Sequence, residues 1–342
     1  MTTEIKKAKN NNEVKTRNIN YWSIILLVVL LVGFTLIDTK MFTSPVRFLS
    51  IANINTMLTN IAPLLLMVCG VTFVLLTGGI DLSIGAMASV SSCLIVATSS
   101  MGWWSLIFAI IYGVVAGAIN GIAVSKLKIP SFIGTLGFQS VWYGVAYYTI
   151  GGQATMVPKA ISDEIFGRWY GVHLFGDIIP SETDFLNMSV VIAVVIMILF
   201  WVVQSKTSLG KNIFAVGVNE RAARVCGVNV DKARIWAFVM CGIGCALCGL
   251  YLTANNKSGN PILGEPYDLK GVAAAVLGGA SLSGGKGSIW GALLGSALII
   301  IIETALPIIG VDAYWQKVVI GALMIAAVFM TTDRKGRDTV IK

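Results

Sequence analysis

Three cysteines and one histidine are the first residues to test for chemistry. Cys245 and Cys248 form a C-x-x-C pair and Cys241 precedes them by one turn, a spacing that can bind zinc or cycle between thiol and disulfide. The pair lies inside an apolar run, and His173 is the single histidine of the chain. Packing of small buried thiols is the favoured interpretation, so we expect no metal ion, no cofactor and no catalytic residue.

A lysine in the segment GASLSGGKGS invites comparison with the phosphate-binding pattern G-x-x-x-x-G-K-[ST]. The match fails at two positions, because Ala280 replaces the first glycine and Gly287 follows Lys286 where Ser or Thr is required. The sequence also lacks a surrounding βαβ pattern. We therefore expect that the chain does not hydrolyse ATP and is not an enzyme.

A second group of residues could serve transport, because they are polar or ionisable within apolar runs. Asp81, Lys286 and Glu303 each need a partner, a cavity or an interface, since a charge in hydrocarbon costs about 2.5 to 3.5 kcal/mol on insertion scales. Neutral groups that could hydrogen-bond a passing solute are Asn120, Gln139, Trp142 and Tyr143. For the aromatic residues, packing or a place in the interfacial belt is the favoured alternative.

The elements that must position these residues are membrane helices. Of the 342 residues, 56% are apolar and 12% are charged, whereas a soluble domain has about 25% charged residues. The same balance excludes disorder, and the net charge of +8 follows membrane topology, which argues against a nucleic-acid partner. A spanning helix needs about 20 apolar residues, and the charge-free runs predict an all-α, polytopic protein with about ten transmembrane helices. A β-barrel is disfavoured because the run from Ile24 to Leu31 is apolar at every position.

The predicted membrane domain covers residues 18–332, between cytoplasmic tails at 1–17 and 333–342. Most lysines and arginines fall on one side of the predicted spans, which places both termini in the cytoplasm, residues 151–184 in an external loop and residues 205–234 in a cytoplasmic loop. The eighth and ninth spans, Gly271 to Gly285 and Gly287 to Ile302, are short and rich in glycine. A re-entrant segment is therefore the alternative there.

Glycines at four-residue spacing predict close contact between helices. Gly113, Gly117 and Gly121 form one row, and Gly291 and Gly295 form another. In lipid, small residues let helix backbones approach and so supply the van der Waals contact that holds helices together. Packing is the favoured interpretation, and a seam that lets helices rock during transport is the alternative.

The 205–234 connection predicts a two-turn helix. Asn219 can serve as its N-cap, Glu220 suits the positive first turn, and Gly227 can terminate it. So short a helix is unstable alone, so neighbours or a partner packed on its alanine face must hold it. An ordinary capped surface helix is the alternative.

This loop resembles the coupling loop of ATP-binding-cassette importer permeases, whose Glu-Ala-Ala pattern and following glycine insert into a groove of the ATPase subunit. Ala222, Ala223 and Gly227 match that pattern, whereas Arg221 stands where the acid would directly precede the alanines. The resemblance implies an ATPase contact through Asn219, Glu220, Arg221, Ala222, Ala223, Arg224 and Gly227.

Over nearly its whole length, the chain is similar to the branch of monosaccharide permeases that includes the ribose and methyl-galactoside importers. Four segments carry the similarity: TGGIDLSIGA at 77–86, IPSFIGTLG at 129–137, GKNIFAVGVNERAARVCGVNV at 210–230 and YDLKGVAAAVLGGASLSGGKGSIWGALLG at 267–295. The resemblance implies a permease homodimer, a cytoplasmic ATPase and an extracytoplasmic sugar-binding protein that delivers substrate. It also implies a bacterial inner-membrane location.

Two of these segments resemble each other. GGIDLSIG at 78–85 and GGASLSGG at 278–285 share residues at a constant offset of 200, which suggests an internal duplication. One interpretation is a pair of broken helix ends beside the translocation pathway, where irregular backbone is tolerated because it faces a cavity. The pathway candidates are Gly78, Gly79, Asp81, Ser83, Asn120, Gln139, Trp142, Gly278, Gly279, Ser283 and Glu303.

The leading hypothesis is therefore the permease subunit of an ATP-driven importer for a small neutral sugar such as ribose or galactose. A nucleoside, a polyol or a furanose signal is the alternative substrate. An ion-coupled secondary transporter is a different class, and the scarcity of intramembrane acids argues against it.

Overall fold

The computed structural model describes residues 21–41, 48–159, 166, 188–312, 314–319, 321–322 and 325. The predicted tails at 1–17 and 333–342 lie outside the described residues. So do most of the predicted external loop at 151–184 and most of the tenth predicted span, from Val318 to Thr332.

The described chain is built mainly of helices. In chain order, α1 to α5 are Tyr21–Met41, Ile51–Leu76, Ile84–Ala97, Trp104–Ser125 and Ser131–Thr149, with a 3₁₀ turn at Ser99–Met101. Helices α6 to α11 are Met188–Lys206, Ser208–Val218, Glu220–Val225, Val230–Asn256, Tyr267–Leu277 and Ile289–Ile308. Two short antiparallel strands, β1 at Thr155–Met156 and β2 at Ser258–Gly259, pair Thr155 with Gly259.

Helices α2, α4, α6, α9 and α11 are each long and apolar enough to cross a membrane. The apolar part of α1, Ser23–Asp38, and all of α3 are shorter apolar helices. The prediction of an all-α, polytopic membrane fold is confirmed.

Helix α9 lies at the centre and contacts α2, α3 and α4. The α4 glycine row faces it at backbone contact: a side-chain carbon at Gly117 would overlap the Phe238 carbonyl oxygen, and one at Gly121 would lie 2.8 Å from Ile235 Cα. Gly295 packs α11 against Ala274 of α10 in the same way. The glycine rows therefore hold helices together by close packing, as predicted.

The first broken crossing consists of a non-helical segment, residues 79–83, followed by α3. This non-helical backbone lies beside the first turns of α5, where Ile80 N donates to Ser131 Oγ (3.1 Å) and Leu82 N donates to Thr135 Oγ1 (3.1 Å). Hydroxyl groups thus replace the helical hydrogen bonds that this segment lacks. Irregular backbone is tolerated inside a membrane protein under that condition.

The second broken crossing runs from β2 through the turns at 260–266 into α10. Gly264 N donates to Ser89 Oγ of α3 (2.8 Å), so the irregular half of this crossing packs against the helical half of the first. Helix α10 has 11 residues and cannot span a membrane alone, since it is only about 16 Å long at 1.5 Å per residue. The eighth predicted span, Gly271 to Gly285, is therefore not a continuous helix, because glycines and serines interrupt it from Gly278 onward.

The bundle has two ends. The coupling end, as we call it, carries α7, α8 and the loops at 77–83 and 278–288, which contact one another. Lys128 joins the same end by a salt bridge of 3.3 Å to Asp231 at the start of α9. The β1–β2 ribbon lies at the far end, where Gly259 packs on Val96 near the end of α3.

Candidate functional site

Helices α2 and α10 end with the same backbone motif. After each helix a left-handed glycine follows the cap residue, Gly78 with φ 76° and Gly279 with φ 96°. The next amide then donates to the carbonyl five residues earlier, from Gly79 N to Val74 O (3.2 Å) and from Ala280 N to Ala275 O (2.9 Å). This is the Schellman pattern. The two ends correspond at an offset of 201, one more than the sequence match suggests, so Gly78 is structurally equivalent to Gly279.

The two glycine-rich loops meet at the coupling end. Gly285 N donates to Leu76 O, the last helical carbonyl of α2 (3.0 Å). Gly217, near the end of α7, fits into this junction, where a side-chain carbon would overlap Leu76 O and lie 2.7 Å from Gly285 N. The structure also brings Gly78 next to Ser283. Helix α7 therefore touches both loops at one point.

Helix α8 follows α7 directly and confirms the predicted two-turn helix. Asn219 Oδ1 accepts from Ala222 N (3.0 Å), and Gly227 takes a left-handed conformation with φ 83° just beyond the helix. The alanine pair divides between two surroundings: Ala223 is buried in the core, whereas Ala222 is exposed. Neighbouring helices thus hold one side of α8, and its other side faces outward.

Charged side chains around α8 form ion pairs with one another. Glu220 contacts Arg234 at 2.7 Å and Arg224 at 3.1 Å. Partial burial alone raises the pKa of Glu220, but the two arginines outweigh it and hold the pKa below its ordinary value. Arg221 is exposed. The acid one place before the expected position is therefore engaged within this chain.

One buried cluster forms around Asp81, whose side chain is 1% exposed. Its Oδ1 accepts from Ser83 N (2.9 Å) and Ser83 Oγ (2.7 Å). Asn120 Nδ2 donates to Ser83 Oγ (2.8 Å) and lies 3.5 Å from Asp81 Oδ2, and Trp142 Nε1 donates to Asn120 Oδ1 (3.4 Å). Four pathway candidates thus form one network, in which two bonds close the turn before α3 and the others join that turn to Asn120 on α4 and Trp142 on α5.

A second cluster forms around Asp268, in the first turn of α10, which is 7% exposed. Its Oδ1 accepts from Gly85 N at the start of α3 (2.8 Å). Its Oδ2 accepts from Gln139 Nε2 (2.7 Å) and Tyr143 Oη (2.8 Å), both on α5. This carboxylate therefore joins three helices at the point where the two half-helices begin.

Glu303 belongs to neither cluster. It forms a salt bridge with Lys270 on α10, and the Lys270 ammonium also lies over the Tyr267 ring, 5.6 Å from its centroid. Within the described ranges, no three His, Cys, Asp or Glu residues are placed to hold a metal ion. Asp268 was not predicted, because it lies outside the charge-free runs. The available signal was an acid two residues after Pro266, at the start of a short apolar helix.

Comparison with known proteins agrees with this architecture. Residues 53–328 match the family described as "Branched-chain amino acid transport system / permease component". The chain is 38% identical to the ribose import permease protein RbsC of Bacillus subtilis (strain 168) over 84% of this chain and 86% of the relative. It is 32% identical to RbsC of Escherichia coli (strain K12), over 90% and 93%. It is 33% identical to the galactose/methyl galactoside import permease protein MglC of Salmonella typhimurium, over 91% and 94%. No solved structure matches the chain significantly.

The fold and these matches define a multi-pass transport protein of the inner membrane. The chain belongs to the matched family of permease components, and the predicted resemblance to importer permeases of the ATP-binding-cassette class is confirmed. Permeases of this class work with an ATPase subunit and a substrate-binding protein.

Proposed function

We propose that this chain is the membrane-spanning subunit of an importer for a small neutral sugar, driven by a separate ATPase that docks on α8. The observation that carries the coupling is the contact of Gly217 with Leu76 and Gly285, because it joins the helix pair α7–α8 to both glycine-rich loops. Relatives named for ribose, galactose and xylose import support the substrate class.

The exposed side of α8 is suited to a protein partner. Ala222 and Arg221 face outward there, and Val225 and Cys226 are also exposed. An exposed apolar residue beside a small alanine gives a docking helix a flat surface that a groove can enclose. We place this surface in the cytoplasm, in agreement with the lysine and arginine bias.

The partners of this subunit follow from the same proposal. A cytoplasmic ATPase binds α8, an extracytoplasmic sugar-binding protein delivers substrate at the far end, and a second copy of the chain completes the permease within the lipid bilayer. The pathway candidates in the two glycine-rich loops belong to the coupling end, next to the proposed ATPase site.

Cys226 supplies a direct test of docking. All six cysteines of the chain are described, and it is the exposed one among them, one residue before Gly227. We expect a maleimide to label Cys226 in the reconstituted permease, and an added ATPase subunit of a ribose importer to slow the labelling. The variant Ala222→Trp should weaken retention of the ATPase by about tenfold, because a bulky group at an interface centre costs at least about 1.4 kcal/mol.

The matched control is Gln153→Trp, which places the same bulk on an exposed residue near β1 at the far end. It should leave both labelling and ATPase retention unchanged. Unaltered labelling of Cys226 in the presence of retained ATPase would contradict docking on α8. Sugar uptake by the permease alone, driven by a gradient, would contradict the assignment to an ATP-driven importer.

A further inference from the structure

The exposed face of α5 differs from those of α4 and α6 along one stripe. Helices α4 and α6 expose large apolar side chains, as expected of surfaces in lipid: Ile107, Phe108, Ile111, Val115, Ile119 and Ile122 on α4, and Val194, Val195, Ile198, Leu199 and Val202 on α6. Helix α5 also exposes large apolar side chains, but Gly137, Ser140 and Gly144 add an exposed stripe of small residues that α4 and α6 lack. The exposed apolar residues of α5 are Phe132, Ile133, Leu136, Val141, Val145, Tyr147 and Tyr148. The helix has 19 residues and yet is absent from the helices apolar enough to span a membrane.

The Asp268 cluster lies directly behind this stripe. Gln139 and Tyr143, which hold Asp268 Oδ2, are half-buried, and they flank Ser140 in the sequence of α5. A side-chain carbon at Gly137 or Gly144 would meet nothing within 4 Å. A solute on the exposed side of α5 is therefore separated from the carboxylate by two polar side chains.

The two oxygens of Asp268 are held in different ways. Oδ1 is fixed by a backbone amide, that of Gly85, whereas both donors to Oδ2 are side chains that can rotate away. No salt bridge reaches Asp268 in the part of the chain that the structure describes, since the nearby Lys270 pairs with Glu303. A hydroxyl group that donates to Oδ2 would release the Gln139 amide and the Tyr143 hydroxyl to bond its neighbours, so the number of hydrogen bonds is conserved.

We propose that Asp268, Gln139 and Tyr143 form a transient subsite for the hydroxyl groups of a neutral polyhydroxylated solute, entered from the Ser140 face of α5. The proposal rests on the proposed function and names the side chains that touch its substrate. Because the solute only replaces hydrogen bonds that already exist within the cluster, its binding is weak. A transport pathway requires weak binding so that the solute can leave again. A carboxylate also selects donors such as sugar hydroxyls over anionic solutes.

The test uses the full-length permease in nanodiscs with Cys226→Ser, which leaves the five buried cysteines. Ser140→Cys is introduced as the reporter, and Val195→Cys, on the α6 face that is 51% exposed at that residue, as the lipid-facing control. We expect a charged, water-soluble methanethiosulfonate to react with Cys at 140 at least about tenfold faster than at 195, because the reactive thiolate forms in water and not in hydrocarbon. Equal rates at the two positions would overturn the proposal.

Protection by sugar then tests the subsite itself. D-ribose, D-xylose and D-galactose at high concentration should slow the reaction of the reporter, and glycine betaine, which has no hydroxyl group, should not. Adding Tyr143→Phe should weaken this protection by about tenfold, the scale of one hydrogen bond to a charged group. Tyr148→Phe, on a residue of the same helix that is 91% exposed, should leave it unchanged.

The outcomes separate this subsite from a purely structural role. A structural role would lower the thermal stability of the Tyr143→Phe variant and leave sugar protection as it was, which would overturn the proposal. So would the absence of protection by all three sugars. Labelling of Cys226 in the presence of the ATPase is an independent readout of the proposed function, so failure of one proposal is distinguishable from failure of the other.

Discussion

Two buried carboxylates at the start of α3 show how differently the same group can be used. Asp81 is held mainly by its own turn, through the backbone and hydroxyl of Ser83 two residues later. Asp268 is held by groups far away in the sequence, on α3 and α5. The first carboxylate therefore shapes a local turn, whereas the second determines how three helices meet.

The largest effect should come from Asp268→Ala. The substitution leaves the buried Gly85 amide and the side chains of Gln139 and Tyr143 without their acceptor. Each stranded donor costs about 1 to 3 kcal/mol, so we expect the free energy of unfolding to fall by about 3 kcal/mol or more. Reversible unfolding in mixed micelles measures this, and a loss below about 1 kcal/mol would contradict a role in joining the helices.

A smaller effect, and a sharper comparison, comes from replacing each acid by asparagine. In Asp81→Asn the remaining carbonyl oxygen still accepts from Ser83, and the new amide faces the distant Asn120, so we expect a loss of about 1 kcal/mol. In Asp268→Asn the new side-chain NH₂ group must face a hydrogen-bond donor in either orientation. We therefore expect the free energy of unfolding to fall by about 2 kcal/mol. The same unfolding assay applies to both, and equal losses would show that the two clusters do not differ.

Glu220 supplies the solvent-exposed reference and the smallest effect. Its pKa is lowered in the folded protein, so its contribution to the stability of α8 is fully present above its ordinary pKa of 4.5 and is lost as the pH falls through the lowered value. After correction for the intrinsic exchange rate, the protection of the α8 amides against hydrogen exchange should stay the same down to pH 5.5. It should fall below pH 4.5. Arg234→Gln should reduce this dependence. Solvent screening keeps the contribution of these ion pairs to the stability of α8 small. A large loss of amide protection would contradict this prediction.

The sequence predicts most of the helices and the short helix α8, because those depend on local signals. Charge-free runs mark α2, α4, α6, α9 and α11, and the cap Asn219 and the terminator Gly227 mark α8 through neighbouring backbone groups. The grouping of Asp81 with Ser83 is also local. Asn120 and Trp142 join this group through contacts that are not local, and the pathway role of all four residues stays a prediction.

The broken crossings could not be predicted in the same way. Segment 79–83 and the turns at 260–266 are stabilised by hydroxyls on other helices, and an apolar run does not reveal which helix supplies them. Asp268 acquires its role from Gly85, 183 residues away. The sequence match relates the two glycine motifs by an offset of 200, whereas their backbone conformations correspond at an offset of 201. Residue identities alone do not reveal this difference.

The non-helical segment at 79–83 also constrains the order in which the nascent protein can mature. When this stretch leaves the ribosome, the amides of Ile80 and Leu82 have no acceptor until Ser131 and Thr135, about 50 residues later, have been synthesised. The carboxylate that caps α3 arrives later still, after α9. The interior of the permease is therefore completed only during the last third of translation. Until then, segment 79–83 must remain next to water or to the insertion machinery.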